Sequence, residues 1–318
     1  MKILVTGSAG FIGFHLSKAL LERGDTVLGL DNYSDYYDVS IKKDRTKILK
    51  ENNNFSEAVC DISNFDSLKK VFEKNKFDVV VNLAAQAGVR YSLEKPGVYE
   101  NTNIKGFLNV LECCRHMGPK RLVYASSSSV YGANKKLPFS EEDRVDNPIS
   151  LYAASKKSNE LMAFTYNHLF GIKSSGLRFF TVYGPMGRPD MALFLFTKAI
   201  SEGKPINVFN NGEMERDFTY VDDIVSGLIA SIDTPFEYEI FNLGRGESRK
   251  LTDFIKLIEK NLGKKADVNM LPIQPGDVPK TFSDISKAKE KLGYSPKTSI
   301  EEGIKKFVDW YKEYYKIS

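Results

Sequence analysis

The stretch "KILVTGSAGFIG", Lys2–Gly13, runs a β-branched strand pattern directly into three glycines and then into a helical pattern. Few folds can use that order. Gly7 allows a tight turn straight after the strand, Gly10 lets backbone amides approach a phosphate, and Gly13 lets helix and strand pack closely. The helix that follows directs its partial positive charge at the same place. The spacing is Gly-x-x-Gly-x-x-Gly, and three glycines alone are a weak signal, so the surrounding pattern has to carry the argument.

That pattern alternates. Strand-like runs cover 2–7, 26–32, 55–62, 78–85, 121–127 and 174–180, with helical patterns over 12–23, 66–74, 103–117 and 152–169 between them. Alternation of this kind implies right-handed crossovers and a parallel sheet covered on both faces. Near-continuous apolar runs such as "DVVVNLAA" suit strands buried on both sides. The expected fold is α/β, a doubly wound, Rossmann-type parallel sheet. After residue 180 Pro and Gly rise through "YGPMGRPDM", 183–191, and the elements shorten. The expected division is a dinucleotide-binding domain over 1–180 and a smaller substrate domain over 181–318. A helix and strand within 213–245 would return to the first domain.

The second strand pattern ends at Asp31, 18 residues after Gly13. A carboxylate there accepts hydrogen bonds from an adenosine 2′-hydroxyl and repels a 2′-phosphate, so NAD is expected rather than NADP. Asp61 and Ile62, ending the third strand pattern, are placed at the adenine edge. Phe11 and Ile12 in the glycine turn, Asn32 beside Asp31, and Ala84 and Ala85 beyond the fourth strand complete the expected cofactor contacts.

Tyr152 and Lys156, in "SLYAASKK", stand one helical turn apart and share a helix face. An ammonium beside a phenol favours the phenolate and lowers its pKa, which prepares it to take a proton from an alcohol. Tyr-x-x-x-Lys is common on helices, but here it follows "ASSSSVYG" at the end of the fifth strand pattern. Carboxyl ends of strands face the ligand crevice in such sheets, so a serine there can reach the same substrate oxygen.

Composition narrows the remaining classes. Of 318 residues, 45 are basic and 41 acidic, a net charge of +4 with the signs interspersed, so no nucleic-acid or membrane surface is implied. Cys60, Cys113 and Cys114 have neither disulfide nor zinc spacing, and His15, His116 and His168 are scattered, so no metal site is expected. No apolar run approaches the roughly 18 residues that span a bilayer. With no signal-like segment ahead of the first strand, a cytoplasmic protein is expected.

In order along nearly the whole chain, "TGSAGFIG", "DNYSDYYD", "NLAAQAGVRYS", "ASSSSVYG", "LYAASKK", "GLRFFTVYGPMGRPDMA", "RDFTYVDDI" and "PGDVPKT" resemble the extended short-chain dehydrogenases/reductases. Within that group they are most similar to the nucleotide-sugar 4-epimerases that act on UDP-glucuronate. The resemblance implies that Tyr152 is the general base and acid, and that Lys156 tunes it and holds the nicotinamide ribose. It implies that Ser127, with Ser128 its nearest competitor, meets the substrate hydroxyl. Relatives acting on neutral sugars tend to carry Asn at the place of Thr181, whereas the glucuronate enzymes resemble this chain in Thr181 and Arg188. A guanidinium binds a planar carboxylate through two parallel hydrogen bonds, and Thr181 can add one more. Met186 departs from the Trp expected there.

By the same resemblance Arg90 lies near the sugar or the diphosphate, and Arg216 and Asp277 grip the uridine diphosphate. Asp222 and Asp223 are expected to cap a helix, and Tyr36 and Tyr37 either line the sugar pocket or cover the sheet edge. The implied reaction inverts carbon 4 of UDP-glucuronate through a 4-keto intermediate with NAD retained, in a homodimer. The alternatives are a UDP-glucose or UDP-N-acetylglucosamine 4-epimerase, against which Arg188 is expected to stand as an unpaired cation, and a non-catalytic NAD-binding protein. A 4,6-dehydratase would carry an Asp-Glu pair where this chain has serines. A 4-keto uronate is a β-keto acid, so Thr181, Arg188 and a serine are also expected to hold its carboxylate out of the alignment that loses carbon dioxide.

Overall fold

Short apolar, β-branched runs separated by helices assemble into a seven-stranded parallel sheet. The computed structural model describes residues 1–274 and 276–317. Six strands come from residues 1–180: β1 (Lys2–Thr6), β2 (Thr26–Asp31), β3 (Phe55–Val59), β4 (Val79–Asn82), β5 (Arg121–Ser127) and β6 (Lys173–Phe179). The strand Tyr238–Leu243 adds beside β6, so the sheet reads Tyr238–Leu243, β6, β5, β4, β1, β2, β3. Its order reverses between β1 and β4, the place where such sheets open a ligand crevice at their carboxyl edge.

Side chains alternate across the sheet. Ile3, Val5, Val79 and Val81 enter a core with Phe14, Leu16 and Leu20 of the helix Phe11–Glu22 and with Ile224 and Leu228 of the helix Val221–Asp233. Leu4, Leu28, Leu30 and Val80 enter the opposite core with Leu68 and Phe72 of the helix Phe65–Lys74 and Phe107 of the helix Phe107–His116. Each such aliphatic side chain, fully withdrawn from water, contributes roughly 1.5–3 kcal/mol. The first core also holds Phe254, Phe307 and Tyr311 from the C-terminal region, so residues on both sides of position 180 share it.

Several elements depart from the sequence pattern. β4 stops at Asn82, whose Oδ1 accepts from the Thr6 hydroxyl at 2.7 Å, and the following residues turn out to wall the crevice. β3 stops at Val59, and Asp61 accepts from the Ser63 amide at 2.8 Å to start a turn. The helix expected over 103–117 is two pieces, a π-helical Glu100–Gly106 and the α-helix Phe107–His116. Asn159 Nδ2 donates to the Asn103 carbonyl at 2.7 Å, taking an acceptor out of the regular ladder. The helix Val39–Leu49 is absent from the apolar pattern because its buried face includes Lys42, Arg45 and Thr46.

Apart from Tyr238–Leu243, the strands described beyond Phe180 are short pairs: Thr181–Tyr183 with Phe218–Tyr220, Ile206–Val208 with Val268–Met270, and Glu215–Arg216 with Arg249–Lys250. They stand at the carboxyl edge of the large sheet and close one side of the crevice. Asp222 and Asp223 lie in the first turn of Val221–Asp233, as its charge pattern suggests, but Asp223 caps a different segment. Its carboxylate accepts from the Lys297 and Thr298 amides at 2.9 and 3.1 Å.

Candidate active site

A cleft of about 1350 Å³ follows the carboxyl edge of the sheet. The glycine turn, Asp31, Asn32, Asp61, Ile62, Ala84 and Ala85 line one end. Ser127, Ser128, Tyr152 and Lys156 line the middle, and Arg90, Thr181, Arg188, Arg216 and Asp277 the other end. The residues expected to serve cofactor, catalysis and substrate thus all line one cavity.

At the first end, backbone stands where side chains would otherwise be. A Cβ on Gly7, whose φ is +72°, would lie 2.7 Å from the Ala84 nitrogen, and one on Gly13 would lie 2.0 Å from the Gly7 oxygen. Only glycine permits this turn, whose own amides bond to Leu30, Asp31 and Gly7 and leave the first-turn amides of the helix Phe11–Glu22 to meet a phosphate. Asp31 accepts from the Ala9 and Tyr33 amides at 3.0 and 2.9 Å, one bond on each oxygen, which fixes the carboxylate and leaves lone pairs for a ribose hydroxyl. Asn32 Nδ2 donates to Asp61 at 2.8 Å. Burial opposes ionisation of Asp61, but the Ser63 and Asn32 hydrogen bonds outweigh it and hold its carboxyl below the ordinary range. The donor set and the side-chain-free turn fit a dinucleotide with an unmodified adenosine ribose.

In the middle, Tyr152 opens the helix Leu151–Phe170, which Ser150 caps by accepting from the Ala153 amide at 3.1 Å. Ser127 ends β5, where its Oγ accepts from the Ser129 amide at 3.1 Å, so its own proton is available to the cleft. β5 alternates, and the neighbouring Ser126 points away, donating to Glu160 at 2.7 Å. Ser127 is the hydroxyl that acts on the Tyr152 phenol.

The electrostatics differ from the sequence expectation. Burial raises the Tyr152 pKa, and the opposing pulls come from the Ser127 hydrogen bond and the Arg188 charge, not from Lys156. Lys156 donates to the Ala125 carbonyl at 2.9 Å, and burial alone lowers its pKa to about 8. Desolvation therefore exceeds the attraction expected from one-turn spacing. The Tyr99 ring packs edge-on against Tyr152 at 6.1 Å between centroids.

At the far end the cations are partnered. Arg188 donates from Nε to Asp190 Oδ1 at 3.0 Å and from Nη2 to Oδ2 at 2.5 Å. The expectation that a neutral sugar would strand this cation is therefore corrected, because Asp190 compensates it. Arg90 donates to Asp277 at 2.9 Å and its guanidinium stacks 4.4 Å over the Phe209 ring, so these two residues, expected as separate contacts, form one unit. Among the described residues Arg216 donates to the Glu215 and Pro279 carbonyls and to the Met214 sulfur. Burial lowers its pKa despite the nearby Asp277, as for a cation that has given up water and gained no directly bonded acid. Tyr36 and Tyr37 both line the cleft; the Tyr36 hydroxyl donates to Asp190 at 3.2 Å and the Tyr37 hydroxyl accepts from Arg45 at 3.1 Å.

Arg45 is a site-building residue that the sequence pattern conceals. Fully buried, it donates to the Ala9 carbonyl of the glycine turn at 2.8 Å and to the Met186 carbonyl at 2.7 Å. It thereby ties the dinucleotide end to the loop that carries Arg188. Met186 has a φ of +55°, an uncommon conformation for a side chain of that size. Arg45 is one of four basic residues in "KKDRTK" and nothing there sets it apart, whereas Asp190 stands two residues after Arg188.

Known proteins resemble this chain over nearly its full length. A family model described as GDP-mannose 4,6 dehydratase matches residues 4–307. UDP-glucuronate 4-epimerase 2 of Arabidopsis thaliana is 50% identical over 99% of this chain and 77% of its own length. The crystal structure of UDP-glucuronic acid 4-epimerase from Bacillus cereus, in complex with UDP-glucuronic acid and NAD, superposes with a TM-score of 0.93 at 39% identity, covering 99% of this chain and 100% of that one. The UDP-glucose 4-epimerase of Thermotoga maritima with UDP-glucose gives a TM-score of 0.90 at 33% identity, again covering 99% and 100%. With the glycine turn, the Ser127–Tyr152–Lys156 set and a family match over nearly its full length, the chain belongs to the GDP-mannose 4,6-dehydratase family of extended short-chain dehydrogenase/reductase-type enzymes.

Proposed function

We propose that this protein is an NAD-dependent isomerase that inverts carbon 4 of UDP-glucuronate to give UDP-galacturonate through a 4-keto intermediate. One observation carries the reading. Arg188 and Tyr152 line the same cleft, near enough for the guanidinium charge to act on the phenol, so a carboxylate-recognising cation stands next to the proton-transfer group. Similarity to the glucuronate epimerases named above supports the same substrate.

The glycine turn, Asp31, Asp61 and Lys156 would hold NAD, which when bound takes the hydride from carbon 4 and returns it to the opposite face. Tyr152 removes the proton from the 4-hydroxyl and later gives it back. Ser127 donates to the same oxygen and stabilises it as it becomes a carbonyl. Lys156, anchored on the Ala125 carbonyl, keeps a positive charge at the base of the site. Arg216 and the Arg90–Asp277 unit grip the uridine diphosphate, so the sugar can turn over without leaving. Thr181 and Arg188 orient the uronate carboxylate. Residues 1–180 with the return segment serve the cofactor, and the rest of 181–318 the nucleotide sugar.

A neutral-sugar 4-epimerase is the second reading, favoured by the Arg188–Asp190 pair, which lets an uncharged hexose enter without stranding a cation. Dehydration is disfavoured, because Ser126, Ser128 and Ser129 flank Ser127 where an acid–base carboxyl pair would be needed.

We further propose a homodimer in the cytoplasm. Leu161, Phe164 and Leu169 are 57%, 54% and 60% exposed on one helix, a row of apolar side chains that a four-helix interface would cover. Cys60, Cys113 and Cys114 are free thiols, in keeping with a reducing compartment. Purified protein incubated with UDP-glucuronate and no added NAD is expected to yield UDP-galacturonate. Turnover of UDP-glucose alone would select the second reading.

A further inference from the structure

We infer that Asp190 is a specificity-setting positioning residue. It holds one edge of the Arg188 guanidinium, so that the other edge meets the substrate carboxylate within a pair of no net charge. The inference rests on the UDP-glucuronate reading. Asp190 accepts hydrogen bonds from Nε and Nη2 of Arg188 in a side-on fork. Among the described residues the Nη1 group donates to no protein partner, and the guanidinium lines the cleft, so the end-on edge remains for a ligand.

The fork is braced from two directions. Tyr36 donates its hydroxyl to the same Asp190 oxygen at 3.2 Å. Arg45 holds the Met186 and Gly187 carbonyls, at 2.7 and 3.2 Å, immediately before Arg188. Arg188 is therefore fixed, and the substrate must come to it. Burial works against the Arg188 charge, but Asp190 outweighs it, so the arginine stays a cation while the pair is neutral.

Neutrality has a consequence for a reaction in which the sugar must turn over. A bare cation in a partly dry cleft would hold a carboxylate strongly in one pose and slow both rotation and release. A cation already shared with Asp190 keeps the two-bond geometry that recognises a planar carboxylate and gives up much of the net attraction. Asp190 thus exchanges ground-state affinity for turnover.

The test uses the NAD-containing enzyme with Asp190→Asn and Asp190→Glu. Titration calorimetry gives Kd for UDP, UDP-glucose and UDP-glucuronate, and steady-state assays give kcat and KM. For Asp190→Asn, UDP-glucuronate is expected to bind about tenfold more tightly, UDP-glucose no more tightly and UDP unchanged, with kcat and KM for UDP-glucuronate both falling. Asp190→Glu, which keeps the charge, is expected to retain the wild-type preference between the two sugars. If the Asn variant also loses UDP, its pocket has collapsed. Asp190→Ala then takes its place with the same expected signs. Equal weakening of both sugars by a variant that still binds UDP, an unchanged preference, or a Glu variant behaving like the Asn variant would overturn the role of Asp190 alone. A wild-type enzyme inert towards UDP-glucuronate would overturn the epimerase reading and this inference with it.

Discussion

Arg178 on β6 and Glu160 on the helix Leu151–Phe170 meet through two parallel hydrogen bonds, Nε to Oε1 at 2.8 Å and Nη2 to Oε2 at 2.9 Å, with both side chains almost wholly buried. Ser126 adds a bond to Glu160, and Arg178 Nη1 donates at 3.0 Å to Tyr131, which in turn donates to Asn242 at 2.7 Å. The network links β5, β6 and the strand Tyr238–Leu243 to the helix that carries Tyr152.

Removing one partner strands the other charge in the interior. Arg178→Met is expected to cost roughly 3–5 kcal/mol, read from urea unfolding at pH 7. Burial disfavours the Glu160 carboxylate, but Arg178 outweighs it and holds its pKa below the ordinary value. The associated stability is complete above the unfolded carboxyl pKa and is lost as pH falls through the lowered folded value. The difference between wild type and Arg178→Met should therefore shrink in acid. A difference that stays constant down to full protonation would contradict the assignment.

Lys156 carries the opposite sign. Its pKa falls from 10.5 to about 8 because it is buried, 3% exposed, which makes its charge cost roughly 3 kcal/mol at neutral pH. The unfolded chain binds more protons here between the two values, so this penalty disappears as pH rises from about 8 to 10.5. Lys156→Met is expected to be more stable than wild type at pH 7, by an amount that shrinks over that window, and to lose epimerisation. Equal stability of the two proteins at pH 7 would show that Lys156 bears no desolvation cost.

Thr181 and Arg188 should govern the fate of the 4-keto uronate as well as its binding. Arg188→Ala and Thr181→Ala are each expected to lower turnover and to raise the share of UDP-pentose formed by loss of carbon dioxide, resolved by chromatography of the product sugars. Lower activity with no rise in pentose would leave these residues a role in recognition only.

Much of this site was legible in the chain because its parts obey local rules. Gly7, Gly10 and Gly13 answer to a turn with no room for Cβ, and Tyr152 and Lys156 to helical spacing. What escaped depends on contacts distant in sequence. Arg45 meets Met186 across 141 positions, and the π-helical Glu100–Gly106 depends on Asn159, 56 positions beyond Asn103. The mistaken source for the Tyr152 shift has the same origin. Spacing placed Lys156 near the phenol, but could reveal neither the Ala125 carbonyl that accepts its hydrogen bond nor the burial that dominates both groups.

The central claim is that the Tyr152 phenol moves the proton of the 4-hydroxyl. Tyr152→Phe keeps the ring, its packing against Tyr99 and the cleft, and removes only that oxygen. The decisive measurement is its rate of UDP-galacturonate formation from saturating UDP-glucuronate, with bound NAD quantified in the same sample. A loss of about 10²-fold or more with NAD retained is the expected result, and turnover near the wild-type rate would contradict the account.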